Sequence, residues 1–332
     1  MQHLREALRV WSAVALLCIG LAGVARGARA DTAPAYPQRP IRILVGFQPG
    51  GGSDVLGRLL SVDLSKRLGQ TVIIENRSGA GGTIALDVAA KSPPDGYTLA
   101  MVSGSQLTNA ALFTKVSYDV ETVFSPIAQL TSEPYIILAK PALSAHTMPE
   151  LIALARTKPK ELTCGSSGTG SFAHLGIELL NSMAGIQLTH VPYKGSGQAL
   201  IDLLGGQIDL AYASAISATP HIKSGAARAL AVTTRNRSPL FPDIPTIAES
   251  GVPGYEVSSW YALVAPKGTA AAIVERLHTE IAAILATPEA IATLARNGAQ
   301  PAVGTPAELQ AKMHDEIERW RRVVNESGIK VD

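Results

Sequence analysis

The stretch Ile41–Leu68, IRILVGFQPGGGSDVLGRLLSVDLSKRL, holds the transition on which the fold turns. Ile41-Arg42-Ile43-Leu44-Val45 is an apolar run of strand length, and three consecutive glycines follow at 50–52. Leu56, Leu60, Leu64 and Leu68 then recur at every fourth residue, which places them on one face of a helix. A strand feeds a helix through a turn stripped of side chains. The order repeats: strand Ile41 to Phe47, helix Asp54 to Leu68, strand Thr71 to Glu75, helix Thr83 to Lys91, strand Tyr97 to Ser103. Such alternation predicts an α/β fold on a mostly parallel sheet.

A second series starts at Tyr135, with strands over Tyr135 to Ala139, Leu162 to Gly165, Leu188 to Pro192, Ile208 to Ala213 and Ala229 to Thr233. Helices separate them at Pro149 to Arg156, Phe172 to Ala184, Gln198 to Leu204 and around His221. After a Pro/Gly-rich connection over Phe241 to Gly254 come a strand at Trp260 to Ala265 and helices at Ala270 to Ala286, Pro288 to Asn297 and Pro306 to Ser327. Thr287-Pro288 and Thr305-Pro306 are threonine caps with proline at the first helical position. If the terminal helices return to the first half, the chain crosses between lobes near residues 132 and 256. The expected domains are 31–131 with 257–332 as lobe 1 and 132–256 as lobe 2, with a hinge at the two crossings.

Residues 1–30 stand apart from this fold. Arg5 and Arg9 precede an apolar stretch from Trp11 to Val24, and Ala28-Arg29-Ala30 supplies an A-x-A cleavage pattern, so the segment is expected to be a signal peptide for export to the periplasm. Cys18 invites a lipoprotein reading, but Leu17 stands where a small residue is wanted, and ordinary cleavage fits better. Without residues 1–30 the chain carries 25 basic and 26 acidic residues. The near-neutral balance, few aromatics and absence of a Lys/Arg run argue against nucleic acid. Cys164 is the only cysteine left, so no intramolecular disulfide forms and the thiol is expected to be a small buried hydrophobe.

The opening turn approaches a phosphate loop, Gly52 to Leu59, but Arg58 replaces the lysine and Leu59 the magnesium-binding hydroxyl. A dinucleotide fingerprint lacks its third glycine. What remains is a row of bare amides at a helix N-terminus, where aligned peptide dipoles amount to roughly +0.5 charge and attract anions. A plainer alternative is that Asp54 caps the helix and the glycines only turn the chain. A capping carboxylate would compete with an anion, leaving the Gly50, Gly51, Gly52 and Ser53 amides and the Ser53 hydroxyl to a ligand. Two further turns, Asn76 to Gly82 with Gly79 and Ala80, and Ser103 to Asn109 with Ser105 and Gln106, fall on the same sheet edge. The second half answers with Gly165 to Ser171, before the helix carrying His174, and with Tyr193 to Gly197 around Lys194. Lys194 reads equally as an anion contact or a solvated loop charge.

Hydrolysis is the competing chemistry, because Ser171 and His174 share one helical face. The G-x-S-x-G elbow is absent, however, and no orienting carboxylate follows at a recognisable spacing. The histidines beyond residue 30, at 146, 174, 190, 221, 278 and 314, show no metal-ligand spacing. The expectation is a protein without enzymatic activity, cofactor or metal.

The strings YPQRPIRILVGFQPGGGSDVLGRLL, VIIENRSGAGGT, PPDGYTL, GSSGTGSFAHL, HVPYKGSGQAL and PHIKSGAARALAVT, in that order behind a signal, resemble the Bug family of extracytoplasmic solute-binding proteins of tripartite tricarboxylate transporters, TctC-like receptors. The resemblance spans essentially the whole chain after the signal. It implies a two-lobed periplasmic-binding-protein fold, type II-like, with two crossover strands and a cleft that closes around a small carboxylated solute. It also implies contacts through main-chain amides and hydroxyls: Gly50 to Ser53 and Gly79-Ala80 from one lobe, Ser166, Thr169, Gly170 and Ser171 from the other, with His174 behind them. Two departures stand out: Asn109-Ala110 where many relatives have Asn-Pro, and Ala213, beside Ser214, where an aspartate is frequent. The far end of the ligand is thereby left open among dicarboxylates, citrate-like acids and aromatic acids. A monomer partnered by membrane permease subunits is implied, with a ligand sensor feeding a two-component kinase as the alternative output.

Overall fold

The computed structural model describes residues 36–113, 116 and 118–327. The expected export signal, with Cys18, lies outside the described residues. Strand β1 (Ile41–Val45) leads into helix α1 (Gly52–Leu68), then β2 (Val72–Asn76), α2 (Thr83–Ala90), β3 (Thr98–Ser103) and α3 (Gly104–Leu112). A long strand, β4 (Phe124–Ala139), opens the second series: α4 (Met148–Thr157), β5 (Thr163–Ser166), α5 (Phe172–Ala184), β6 (Thr189–Pro192), α6 (Ser196–Leu204), β7 (Leu210–Ser214), α7 (Ala215–Lys223) and β8 (Arg228–Val232). The chain returns through β9 (Ser258–Pro266), α8 (Ala271–Leu285), α9 (Pro288–Arg296), β10 (Gln300–Pro301) and α10 (Pro306–Ser327).

The strands run in the order β2-β1-β3-β9-β4-β7-β5-β6, with β8 and β10 also paired to β4. Parallel pairing is confined to two groups, β2-β1-β3 and β7-β5-β6. Between them β9 and β4 run antiparallel to each other and to their neighbours. The expected mostly parallel sheet is therefore corrected to a mixed one, because the two long connecting strands pair directly rather than through crossover helices. β4 exchanges β9 for β7 as partner between Pro134 and Tyr135.

Two elements depart from the sequence expectation. β4 begins at Phe124, eleven residues before the expected start at Tyr135. Pro126, Gln129, Ser132 and Pro134 break any period-2 pattern, and the prolines are tolerated because this stretch is nearly an edge, with a register shift after Pro126 and only the short β10 on its free side. The hydroxyl-rich turn after β3 is in fact helix α3, its Ser103 side chain accepting the Gln106 amide.

The leucine stripe of α1 is buried as its spacing requires, with Leu56, Leu60 and Leu64 at most 3 % exposed. Each contributes about 1.5–3 kcal/mol by leaving water. Gly69 ends the helix in the left-handed conformation. Separate from that stripe, a first-lobe core gathers Leu44, Leu86, Val102, Phe124, Trp260 and Met313. In the second lobe β4 is covered on both faces: Tyr135 and Ile137 face Leu175, Leu180 and Tyr255, while Ile136 and Leu138 face Leu200 and Leu203 of α6. Cys164 is buried among the first of these groups, as expected. α10 joins both cores: Leu309, Met313 and Ile317 belong to the first-lobe cluster, whereas Trp320 packs on Phe172 with ring centres 4.7 Å apart.

Candidate functional site

Four helix N-termini open onto one enclosed chamber between the lobes. The caps of α1, α3, α6 and α7 are Gly51, Ser103, Gly195 and Ser214. The wall comprises Gly51, Gly52 and Ser53, then Ser103, Ser105 and Ser214, with Ser167, Ser196, Phe47 and the phenols of Tyr135 and Tyr261 completing it. Among the described residues no charged side chain lines it. Unpaired amides at helix starts attract negative charge, and hydroxyls adapt to donate as well. The chamber has a volume of about 20 Å³, so an organic acid enters only if the walls part. Outside it lies a cavity of about 390 Å³ lined by Gly79–Gly82, Asn109, Phe113, Ser167–Thr169 and Pro192–Lys194.

The Gly50–Ser53 turn is held from behind. Asp54 is not the cap; its carboxylate accepts the Gly50 amide at 3.1 Å, Arg58 Nε at 3.0 Å and Asn76 Nδ2 at 3.0 Å. Burial pushes the carboxyl up, but the bonds from Arg58, Asn76 and Gly50 prevail and hold it below the usual carboxylate range. The Gly50 amide is thus occupied internally. Asp54 and Val55 donate to the Gly51 carbonyl, which leaves the Gly51, Gly52 and Ser53 amides ahead of the first helical bonds. The second glycine turn needs its composition: Gly79, Gly81 and Gly82 have φ of 133°, 61° and 94°. Gln106 does not reach either cavity; its Nε2 donates to the Gly82 carbonyl at 2.8 Å and steadies that turn.

In the second lobe the Ser166–Ser171 turn is held by two stacked imidazoles. His174 and His190 lie face to face, 3.8 Å between ring centres. His174 Nδ1 accepts the Gly170 amide at 3.1 Å, so its proton is assigned to Nε2. Ser166 Oγ lies 2.6 Å from His190 Nε2 and accepts the Gly168 amide at 3.0 Å. Burial lowers His174 to about 4; burial, with a smaller contribution from its neighbour's charge, lowers His190 to about 3. Both rings are neutral near pH 7. Ser166, Gly170, Ser171 and His174 therefore stand behind the cavities, while Ser167 and Thr169, alternating with them, face inward. Ser171 Oγ accepts the His174 amide as a helix cap, so this hydroxyl and its imidazole serve separate backbone partners rather than each other.

Ser214 lines the chamber, whereas Ala213 is buried in the ladder opposite Ile136. Lys194 borders the outer cavity, and its carbonyl accepts the Gln48 amide across the cleft at 3.0 Å. Asn109 Nδ2 likewise reaches the Thr169 carbonyl at 3.0 Å, and the Phe172 amide reaches Ser105 Oγ at 2.8 Å. These contacts hold the cleft shut. Tyr135 and Tyr261 lie outside the turns expected from the sequence to meet a ligand, and within those turns Asn109, Ser167, Tyr193 and Ser196 are not among the expected contacts. The first two lie on strands whose apolar pattern gives an inward phenol no distinguishing mark. Away from the cleft, Glu121, His314 and Glu318 bring possible metal donors within 4.8 Å of one another, a grouping invisible to spacing because Glu121 lies in a distant loop.

Two lobes joined by β4 and β9, with helix starts converging on the cleft, define the periplasmic-binding-protein class. Residues 56–329 match the model of the TctC family, described as the tripartite tricarboxylate transporter family receptor, and the chain belongs to that family. It is similar to protein BugT of Bordetella pertussis, 39 % identical over 321 residues, covering 96 % of this chain and 98 % of that one. Among solved structures, Rpa4515 of R. palustris with adipate matches at a TM-score of 0.85 and 38 % identity, covering 89 % of this chain and 99 % of its own. MatC from Rhodopseudomonas palustris with bound malate matches at 0.82 and 33 %, covering 87 % and 100 %.

Proposed function

We propose that this protein is an exported, monomeric receptor that captures a small organic acid anion in the cleft and presents the closed form to permease subunits in the membrane. The observation that carries the reading is the convergence of four helix N-termini on a chamber walled by hydroxyls and lacking any charged side chain. The kinship with adipate- and malate-bound proteins supports the anion class. The signal-like pattern of residues 1–30 supports export. In this reading lobe 1 is 31–131 with 257–332 and lobe 2 is 132–256, parted near where β4 changes partners. Only the closed state lets amides of both lobes meet one ligand, so binding shifts the open–closed equilibrium by its differential affinity. The ligand contacts are the Gly51–Ser53 amides, Ser53, Ser103, Ser105 and Ser214, with Gly79, Ala80, Thr169 and Lys194 at the outer end.

A thermal-shift screen with adipate, malate, citrate, benzoate and glucose tests this. An acid present at a hundredfold excess over its Kd should stabilise the protein by about 2.7 kcal/mol. A shift with glucose and none with any acid would refute the anion assignment.

A further inference from the structure

Behind the chamber lies a carboxyl group with no counter-ion among the described residues. Glu133 is 3 % exposed and shares a strand with Tyr135, one of the chamber's phenols. Alternate residues of a strand point to one face, so the two side chains leave the backbone about 7 Å apart on that face. Across the ladder Glu133 stands opposite Ser259, two residues before Tyr261. Glu133 Oε2 accepts the Ile216 amide at 3.2 Å, in the first turn of α7. Its Oε1 and the Ser259 hydroxyl are both buried and make no close hydrogen bond among the described residues, although the Ser214 and Ser259 hydroxyls lie near enough to act on the carboxyl. A hydroxyl can donate to a carboxylate or accept from an acid, so these two groups suit either form; what favours the proton is burial of the carboxyl with no ion pair among the described residues. Burial pushes Glu133 up to about 8, outweighing the Ile216 amide and the weaker pull of the Ser214 and Ser259 hydroxyls.

The groups around Glu133 are neutral or already paired. Tyr135 on its own strand and Tyr261 on β9 are kept as phenols by burial. On α10, Glu316 accepts Trp260 Nε1 and lies 3.5 Å from Arg319. On its outer side Glu133 borders a surface hollow that Arg235 and Arg237 also line, each paired to its own carboxylate, Glu256 and Glu249. From α7 comes the Ile216 amide alone.

We infer that Glu133 makes anion capture proton-linked: the neutral acid behind the chamber is the form that suits a bound anion, so where Glu133 has ionised, an anion entering the chamber draws a proton onto it from solvent. The inference rests on the chamber being the anion site. A negative charge beside a buried carboxyl disfavours its ionisation, and by reciprocity a proton on Glu133 strengthens the hold on the anion. Affinity therefore falls as pH rises through the titration of Glu133. Release of the anion returns the proton.

The test is calorimetric titration of adipate and of malate into the full receptor in phosphate and in Tris at pH 8. Wild type should show a buffer-dependent enthalpy equivalent to uptake of part of a proton, and affinity about tenfold weaker at pH 9 than at pH 7. Glu133→Gln should lose both effects. Equal proton uptake in the variant, or none in a wild type that binds, overturns the inference. Infrared difference spectra give a second readout independent of ligand: a buried carboxylic-acid carbonyl band at pH 7 in wild type, missing in Glu133→Gln. A wild type lacking the band refutes the neutral acid. If the band is present but neither acid binds, the anion reading fails and the linkage falls with it, while the protonation of Glu133 stands.

Discussion

The Gly50–Ser53 turn of the first lobe is braced by an ion, Asp54, with Arg58 and Asn76 around it, whereas the facing Ser166–Ser171 turn is braced by the neutral pair His174 and His190. Both brace the backbone from behind and leave amides free toward the cleft. They differ in what a proton does to them. A charged acceptor in the first turn of α1 complements the helix dipole and holds at any pH above the carboxylate range. A neutral imidazole accepts the Gly170 amide only while Nδ1 is bare, so its protonation sets two donors against each other.

The largest effect should come from filling the space that both turns frame. A Cβ on Gly52 would sit 2.4 Å from the Tyr261 hydroxyl and 2.5 Å from Ser214 Oγ. Gly52→Val should therefore weaken binding of any stabilising acid by more than about a hundredfold, or about 2.7 kcal/mol, measured by calorimetry. Its fold should survive, because the conflict lies with side chains at the chamber wall. Next in size, Asp54→Ala strips three donors of their acceptor and should lower stability by about 2 kcal/mol in urea denaturation. Arg58 is half exposed and returns to water, so the loss falls mainly on the Gly50 amide and Asn76.

The smallest effect per step separates the two braces by pH. An unfolded histidine titrates near 6.5, while His174 and His190 are held to about 4 and 3 in the fold. Between pH 6.5 and 4 the unfolded chain binds protons that the native state refuses. Stability is thus full above pH 6.5 and falls on acidification, by about 1 kcal/mol per pH unit for each ring. Asp54 has the same sign but a lower window: its contribution is present above the unfolded value of 3.8 and is lost only at lower pH. Urea midpoints at pH 7, 6 and 5 should therefore decline in wild type and stay flatter in His174→Asn/His190→Gln, whose amide oxygens replace the accepting nitrogens. An unchanged slope in that variant would place the acid sensitivity elsewhere.

Much of the frame was legible because it is local. The Leu56–Leu68 stripe, the Thr287-Pro288 cap and Gly185 after α5 each specify an element through neighbours along the chain. β4 was legible only from Tyr135 onward, since the earlier half is stabilised by β9, more than a hundred residues away, and its prolines contradict a strand locally. The site divided along the same line. Glycine and serine turns announced which loops matter, and Gly51–Ser53, Ser103, Ser105 and Ser214 line the chamber. Which residue of a turn faces inward is set by the partner behind it. Nothing in Ser166-Ser167-Gly168 says that His190 takes the first hydroxyl and leaves the second to the cavity.

The C-terminal helix gives the clamshell a third tether besides its two strands. One stretch of α10 is rooted in the first lobe and Trp320 in the second, so any wide swing must drag a 1 %-exposed indole off Phe172 and wet it. Exposing a side chain of that size costs about 3 kcal/mol, which lowers the population of fully gaping molecules by about a hundredfold. The amplitude of breathing is thereby rationed by a residue far from the solute.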